Sequence, residues 1–194
     1  MKIYSHLEST TLTNQYLVIN EETREGIMID VPAIDSWMIR HIEERKIDLR
    51  AILLTHTHEN HSGGLGTIFK IYNPEVYSYI PRIGGMYVHQ VMDGETLTIA
   101  GLEVKGIHVP GHSLDSMCWK IGKALFTGDT LLSGEVGGTQ GLIEKEVLIR
   151  GINTKLMSLD DNTLVYPGHG PLTKIRIERY FNQDLLEGDL FYHS

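Results

Sequence analysis

Hydrophobic positions in this chain fall mostly into runs of four or five residues bounded by turn-forming residues, a pattern of strands more than of helices. Tyr16-Leu17-Val18-Ile19 and Gly26-Ile27-Met28-Ile29-Asp30 flank a polar stretch at 20–25, which predicts two strands joined by a hairpin. Val31-Pro32 ends the second. Ile34, Trp37, Met38, Ile42 and Ile47 recur at helical spacing and predict a helix over 33–46. Ala51-Ile52-Leu53-Leu54 is apolar without interruption, as in a strand buried on both faces. A short helix is expected over 62–72 and a strand over 76–80. Two more hairpins follow, 95–99 with 102–109 around Ala100-Gly101, and 117–121 with 123–127 around Gly122. A helical pattern covers 144–158, a short strand 164–166, and a closing helix 176–186. Two groups of strands, each with helices beside it, predict a layered α/β protein in which two sheets pack together.

The buried strand ends abruptly in Thr55-His56-Thr57-His58-Glu59-Asn60-His61. Side chains in extended backbone alternate, so His56 and His58 project to the same side and can share an ion. His61 follows where the chain enters a helix and can face the same cavity from another angle. Neutral imidazole is a common ligand of divalent metals, and three histidines at one strand end are hard to explain as packing. Three later strand ends repeat the arrangement: Pro110-Gly111-His112-Ser113, Gly128-Asp129-Thr130 and Pro167-Gly168-His169-Gly170. Each sets one ligand-type residue on a glycine-containing turn, where the backbone can come close to an ion.

Composition narrows the function. The 194 residues suit a single domain over 1–194 with a real core, and 41% hydrophobic against 22% charged is an ordinary globular balance. A net charge of −8 argues against nucleic acid as a partner and favours a small-molecule substrate. The lone Cys118 cannot form an intrachain disulfide, and no long apolar run suggests a membrane span, so a cytoplasmic protein is expected. Oligomeric state has no signature in the sequence.

The four strand-end segments, in this order and at these distances, resemble the metallo-β-lactamase-fold superfamily, and most of all its glyoxalase II-like hydrolases. Gly128-Asp129-Thr130-Leu131-Leu132, Pro167-Gly168-His169-Gly170-Pro171, Leu172-Thr173-Lys174-Ile175 and Glu178-Arg179 are similar to that branch. The resemblance implies a four-layer αββα sandwich with a metal site at one edge. It implies that His56, His58 and His112 hold a first ion, that Asp129 bridges, and that His61 and His169, with residue 60, hold a second. Zinc is the first candidate, as one or two ions, with iron or manganese as alternatives. Water activated between the ions would attack a thioester or ester carbonyl, as in hydroxyacylglutathione hydrolases, with Asn60 and Asp129 at the catalytic positions.

Two departures modify that expectation. The family motif has aspartate at residue 60, and this chain has Asn60. An amide carries no charge and cannot serve as a base. Two divalent ions about 3.5 Å apart repel by about 19 kcal/mol at an effective dielectric near 20, so a missing carboxylate weakens the second ion most. Only 25 residues follow His169, which leaves no room for the helical glutathione-binding domain of full-length glyoxalase II enzymes. The loop 134–141, with Gly138 and Gln140 where close relatives place an arginine and an acid, is the nearest substitute for substrate contacts. An iron-dependent sulfur dioxygenase of the same fold, and a metal-binding protein whose activity Asn60 has weakened, are the competing functions. His6, His41, His89, His108 and His193 match no ligand position, and His108 alone among them is close enough in sequence to line the cavity. Glu59 reads as a solvated charge, Cys118 as a buried strand residue, and Ser113 or Asp115 as hydrogen-bond acceptors for a ligating ring.

Overall fold

A computed structural model describes residues 1–186, so His193 lies outside the described residues. One sheet contains β1 (Lys2–Glu8), β2 (Thr13–Ile19), β3 (Glu25–Ile29), β4 (Asp48–Leu53), β5 (Glu75–Ser78) and, after a small ribbon of β6 (Arg82–Ile83) and β7 (Met86–Tyr87), β8 (His89–Gln90), in the spatial order β1-β2-β3-β4-β5-β8. The second contains β9 (Thr96–Ile99), β10 (Leu102–His108), β11 (Met117–Ile121), β12 (Ala124–Gly128), β13 (Leu164–Pro167) and β14 (Thr173–Lys174), in the order β14-β13-β12-β11-β10-β9. Within them β3, β4 and β5 are parallel, as are β12 and β13.

Alternation along the strands assigns each face. Tyr16, Val18, Ile27, Ile29, Ala51 and Leu53 point toward Val104, Met117, Trp119, Ile121 and Phe126 of the second sheet and form the core between the sheets. Their neighbours Leu17, Met28, Ile52 and Leu54 point the other way. They are covered by Met38 and Ile42 of α1 (Ser36–Glu44) and by Leu65 and Ile68 of α3 (Leu65–Tyr72), the short α2 (Glu59–Ser62) lying just before α3. On the far face of the second sheet, Cys118, Leu125 and Val165 meet Leu148 of α4 (Leu142–Gly151), Ile152 and Leu156 of the π-helical turn Ile152–Leu156, and Ile175 of α5 (Ile175–Phe181). The result is the expected order of helix, sheet, sheet and helix layers.

Several elements differ from the sequence expectation. The first helix begins at Ser36, because Asp35 in extended backbone accepts the Met38 N–H at 3.0 Å and caps it there. The pattern over 144–158 is one α-helix that widens into a π-turn at Ile152. The strand β1 was not foreseen. It pairs with β2 over its whole length but lies at the sheet edge, so its pattern shows little apolar alternation.

Candidate metal centre

All four segments with candidate ligands emerge at the carboxyl ends of strands: His56, His58 and His61 after β4, His112 after β10, Asp129 after β12 and His169 after β13. Backbone bonds hold these ends together. Met117 N donates to Thr55 O at 2.7 Å, Gly168 N to Gly128 O at 2.8 Å, and Val31 N to His61 O at 2.7 Å. The indole of Trp119 donates to Leu54 O at 3.0 Å and ties the second sheet to the end of β4.

Two groups of ring nitrogens converge. His58 Nδ1 lies 3.1 Å from His56 Nε2 and 3.1 Å from His112 Nε2. Tetrahedral donors about 2.05 Å from a zinc ion stand about 3.3 Å apart, so this trio has the separation of a ligand set. Asp129 lies between it and the second group. Its Oδ1 is 3.3 Å from His61 Nε2, and its Oδ2 is 3.7 Å from His112 Nε2 and 3.5 Å from His169 Nε2. Donor atoms of His56, His61 and Asp129 fall within 4.8 Å of one another, as do those of His56, His58 and His112.

Four of the five rings have their other nitrogen held by an acceptor, which fixes those tautomers. A carbonyl oxygen can only accept, so His112 Nδ1–H donates to Gly138 O at 2.7 Å and His169 Nδ1–H to Leu12 O at 2.8 Å, leaving each Nε2 as a lone pair. Asp30 organises the other two. It accepts the Thr55 N–H and the Thr55 hydroxyl, each at 2.7 Å, and the His61 Nδ1–H at 2.8 Å. The Thr55 hydroxyl, its proton committed to Asp30, accepts from His56 Nδ1 at 3.1 Å. One buried carboxylate thus orients His61 directly and His56 through Thr55.

Charge and burial fit a cation. His61 Nε2 and Asp129 Oδ1 are buried and face each other with poor alignment, so neither has a conventional hydrogen bond. Burial holds the His56 pKa near 2, helped by the other rings, so its imidazole is neutral. Burial also disfavours charge on His61, but the carboxylates of Asp30 and Asp129 outweigh it and raise its pKa to about 9. Burial raises and the surrounding rings lower the Asp129 pKa, which settles at about 2. Without an ion, the His61 proton supplies the positive charge this pocket favours. An orphaned donor pair, a compact trio of rings and a carboxylate between them fit the needs of a divalent ion.

Asn60 is turned toward the second group, where its Nδ2 donates to His169 Nε2 at 3.1 Å. Glu59 is exposed. Ser113 and Asp115 do not support His112. Ser113 Oγ pairs with Ser116 Oγ at 2.7 Å, and the acceptor for the ring is the backbone of Gly138, within the loop 134–141. His108 is directed away from the cluster: it stacks on Tyr79 at 3.6 Å and its Nε2 donates to Leu114 O at 2.9 Å. Cys118 is buried, and its thiol pKa is pushed up to about 12 by burial.

Gly168 explains why the last turn has no side chain. A Cβ there would stand 2.3 Å from Asp129 Oδ1 and 2.6 Å from His61 Cε1. Gly168→Ala is expected to cost about 1–3 kcal/mol of stability through overpacking and to displace Asp129 from the rings. Chemical denaturation and elemental analysis check this, and wild-type stability with unchanged metal content would contradict it.

Comparison with known proteins places this geometry. Residues 87–169 match the family model of the metallo-beta-lactamase superfamily. A probable hydroxyacylglutathione hydrolase of Schizosaccharomyces pombe is 35% identical over 161 residues, which are 79% of this chain and 62% of that protein. An atrochrysone carboxyl ACP thioesterase of Aspergillus fumigatus is 35% identical over 135 residues, 66% of this chain and 40% of that protein. The chain spans about two fifths to three fifths of these curated relatives. The crystal structure of the BLEG-1 B3 metallo-beta-lactamase superposes with a TM-score of 0.83 at 26% identity, covering 95% of this chain and 99% of that one. Fold, metal-site architecture and relatives agree that this chain carries a metallo-beta-lactamase superfamily domain.

Proposed function

We propose that the protein is a metal-dependent hydrolase of thioesters or esters. The observation that carries this reading is Asp129, set between a compact trio of imidazoles and a second pair of rings. His56, His58 and His112 would hold one ion, and His61, His169 and Asp129 a second, with Asp129 shared. A donor set dominated by imidazole nitrogen suits zinc. When bound, the metal supplies a Lewis acid for the carbonyl and acidifies water to a pKa near 7.

The chain's own residues do the positioning. The Asp30–Thr55 pair keeps His56 and His61 in the ligating tautomer, and the Gly138 and Leu12 carbonyls do so for His112 and His169. Hydrolysis breaks the acyl carbon–sulfur or carbon–oxygen bond and forms an acyl carbon–oxygen bond to water, and the leaving thiol or alcohol departs with a proton. Two of the relatives, the probable hydroxyacylglutathione hydrolase and the ACP thioesterase, support thioester chemistry and differ in the carrier thiol.

Elemental analysis of the purified protein, paired with thioester hydrolysis and oxygen uptake, tests the reading. Zinc-dependent release of thiol is expected. Oxygen consumption by an iron-loaded protein that leaves thioesters intact would overturn it in favour of an oxygenase.

Asn60 should make the two sites unequal. Its amide occupies the His169 lone pair and adds no negative charge where a second cation would sit. The expected stoichiometry is therefore near one ion per chain at limiting metal. Asn60→Asp is expected to raise it toward two and to increase kcat. If titration calorimetry and kinetics showed neither change, this account of residue 60 would be wrong.

A further inference from the structure

We infer that the mouth of the metal centre is built to take an apolar acyl chain joined to an uncharged or weakly charged leaving group. This rests on the hydrolase reading and adds the substrate class. Leu114 follows His112 by two residues and is 87% exposed, although its backbone is anchored by the bond from the His108 ring to its carbonyl. Leu142 and Ile143, 82% and 74% exposed, open α4. That first turn packs against the residue before His112: a Cβ on Gly111 would stand 2.7 Å from Glu144 O. Beside the other outer ring, exposed Leu12 accepts the His169 Nδ1 proton through its carbonyl, and exposed Leu172 follows His169 by three residues. Isolated exposed aliphatic residues are ordinary on a protein surface, but these four leucines and one isoleucine sit on segments that carry or brace two rings of the cluster, His112 and His169.

The charge pattern points the same way. The segments that bear or touch the rings, 10–14, 55–63, 110–116, 128–143 and 167–172, contain no lysine or arginine, and they carry Glu59, Asp115 and Glu135 besides Asp129. The nearest lysine on α4, Lys145, is paired with Asp184 at 2.7 Å. A substrate rich in carboxylates would meet no side-chain cation among these residues, whereas an aliphatic chain would cover leucine and isoleucine now exposed to water.

The test measures binding apart from turnover. Non-hydrolysable S-alkyl-N-acetylcysteamine thioethers with chains of two, four, six and eight carbons are titrated into the metal-loaded protein by calorimetry, with S-octylglutathione as the charged-carrier comparison. Burial of a methylene is worth about 0.8 kcal/mol, so affinity is expected to rise by up to about fourfold per carbon. The neutral octyl thioether should bind more tightly than S-octylglutathione. In the double variant Leu142→Ser, Ile143→Ser the dependence on chain length should flatten. Melting temperature and metal content report that this variant is folded. Affinity independent of chain length, tighter binding of S-octylglutathione, or an unchanged slope in the variant would each overturn the inference. Turnover of the matching octanoyl and acetyl thioesters is scored separately: chain-dependent binding without any thiol release defeats the hydrolase reading alone.

Discussion

Asp129→Ala is expected to lower kcat/KM for thioester hydrolysis by at least about 10³-fold, which corresponds to about 4 kcal/mol of lost transition-state stabilisation. Asp129 is buried, is held ionised by the rings around it, and faces His61, His112 and His169 with its two oxygens. Alanine leaves three ring nitrogens converging on a site with no anion, and leaves His61 with Asp30 as its single carboxylate partner. Metal content should fall together with rate. Asp129→Asn separates the two roles of the side chain, since it keeps an oxygen donor and removes the charge. Steady-state kinetics and elemental analysis on the same preparations decide the matter. An alanine variant within tenfold of wild type and fully metallated would remove Asp129 from the centre of the site.

Much of this arrangement is legible in the sequence because its signals are local. Ala51 to Leu54 is apolar on both faces, and its replacement within two residues by alternating histidines marks the end of a buried strand that carries chemistry. The same contrast, an apolar strand followed by a glycine turn and one ligand-type residue, marks His112, Asp129 and His169. Less is legible where the partner is a backbone atom. The carbonyls of Gly138 and Leu12 that fix two of the rings have no residue signature, and Ser113 and Asp115 looked like better acceptors because they are polar and nearby. Asp30 was hidden for another reason. A single aspartate closing the run Gly26 to Asp30 reads as the last residue of a strand, and only the packing of β3 beside β4 brings it against Thr55 and His61. The π-turn at Ile152 is equally silent, because it continues the apolar pattern of α4 without interruption.

Asp30→Asn is expected to weaken metal binding by about 10–100-fold and to cost about 3–5 kcal/mol of stability, although residue 30 lies outside the ligand set. Asn is the informative substitution because residue 30 has φ +56, a conformation that asparagine tolerates and alanine adopts only with strain. All the groups that face the Asp30 carboxylate here donate to it: the Thr55 N–H on one oxygen, the Thr55 hydroxyl and His61 Nδ1–H on the other. An amide cannot serve both sides. If its oxygen replaces Oδ2, its NH₂ is pressed against the Thr55 N–H, and a buried backbone donor loses its partner. If its oxygen replaces Oδ1, its NH₂ faces His61 Nδ1, the ring proton moves to Nε2, and that proton points at Asp129 where a lone pair is needed. Both orientations also remove the charge that helps hold the His61 pKa near 9. Histidine tautomers followed by nitrogen NMR, metal affinity by competition with a chelator, and urea unfolding of the metal-free protein give three readouts. Wild-type affinity with His61 still protonated at Nδ1 would show that Asp30 does not set the ring.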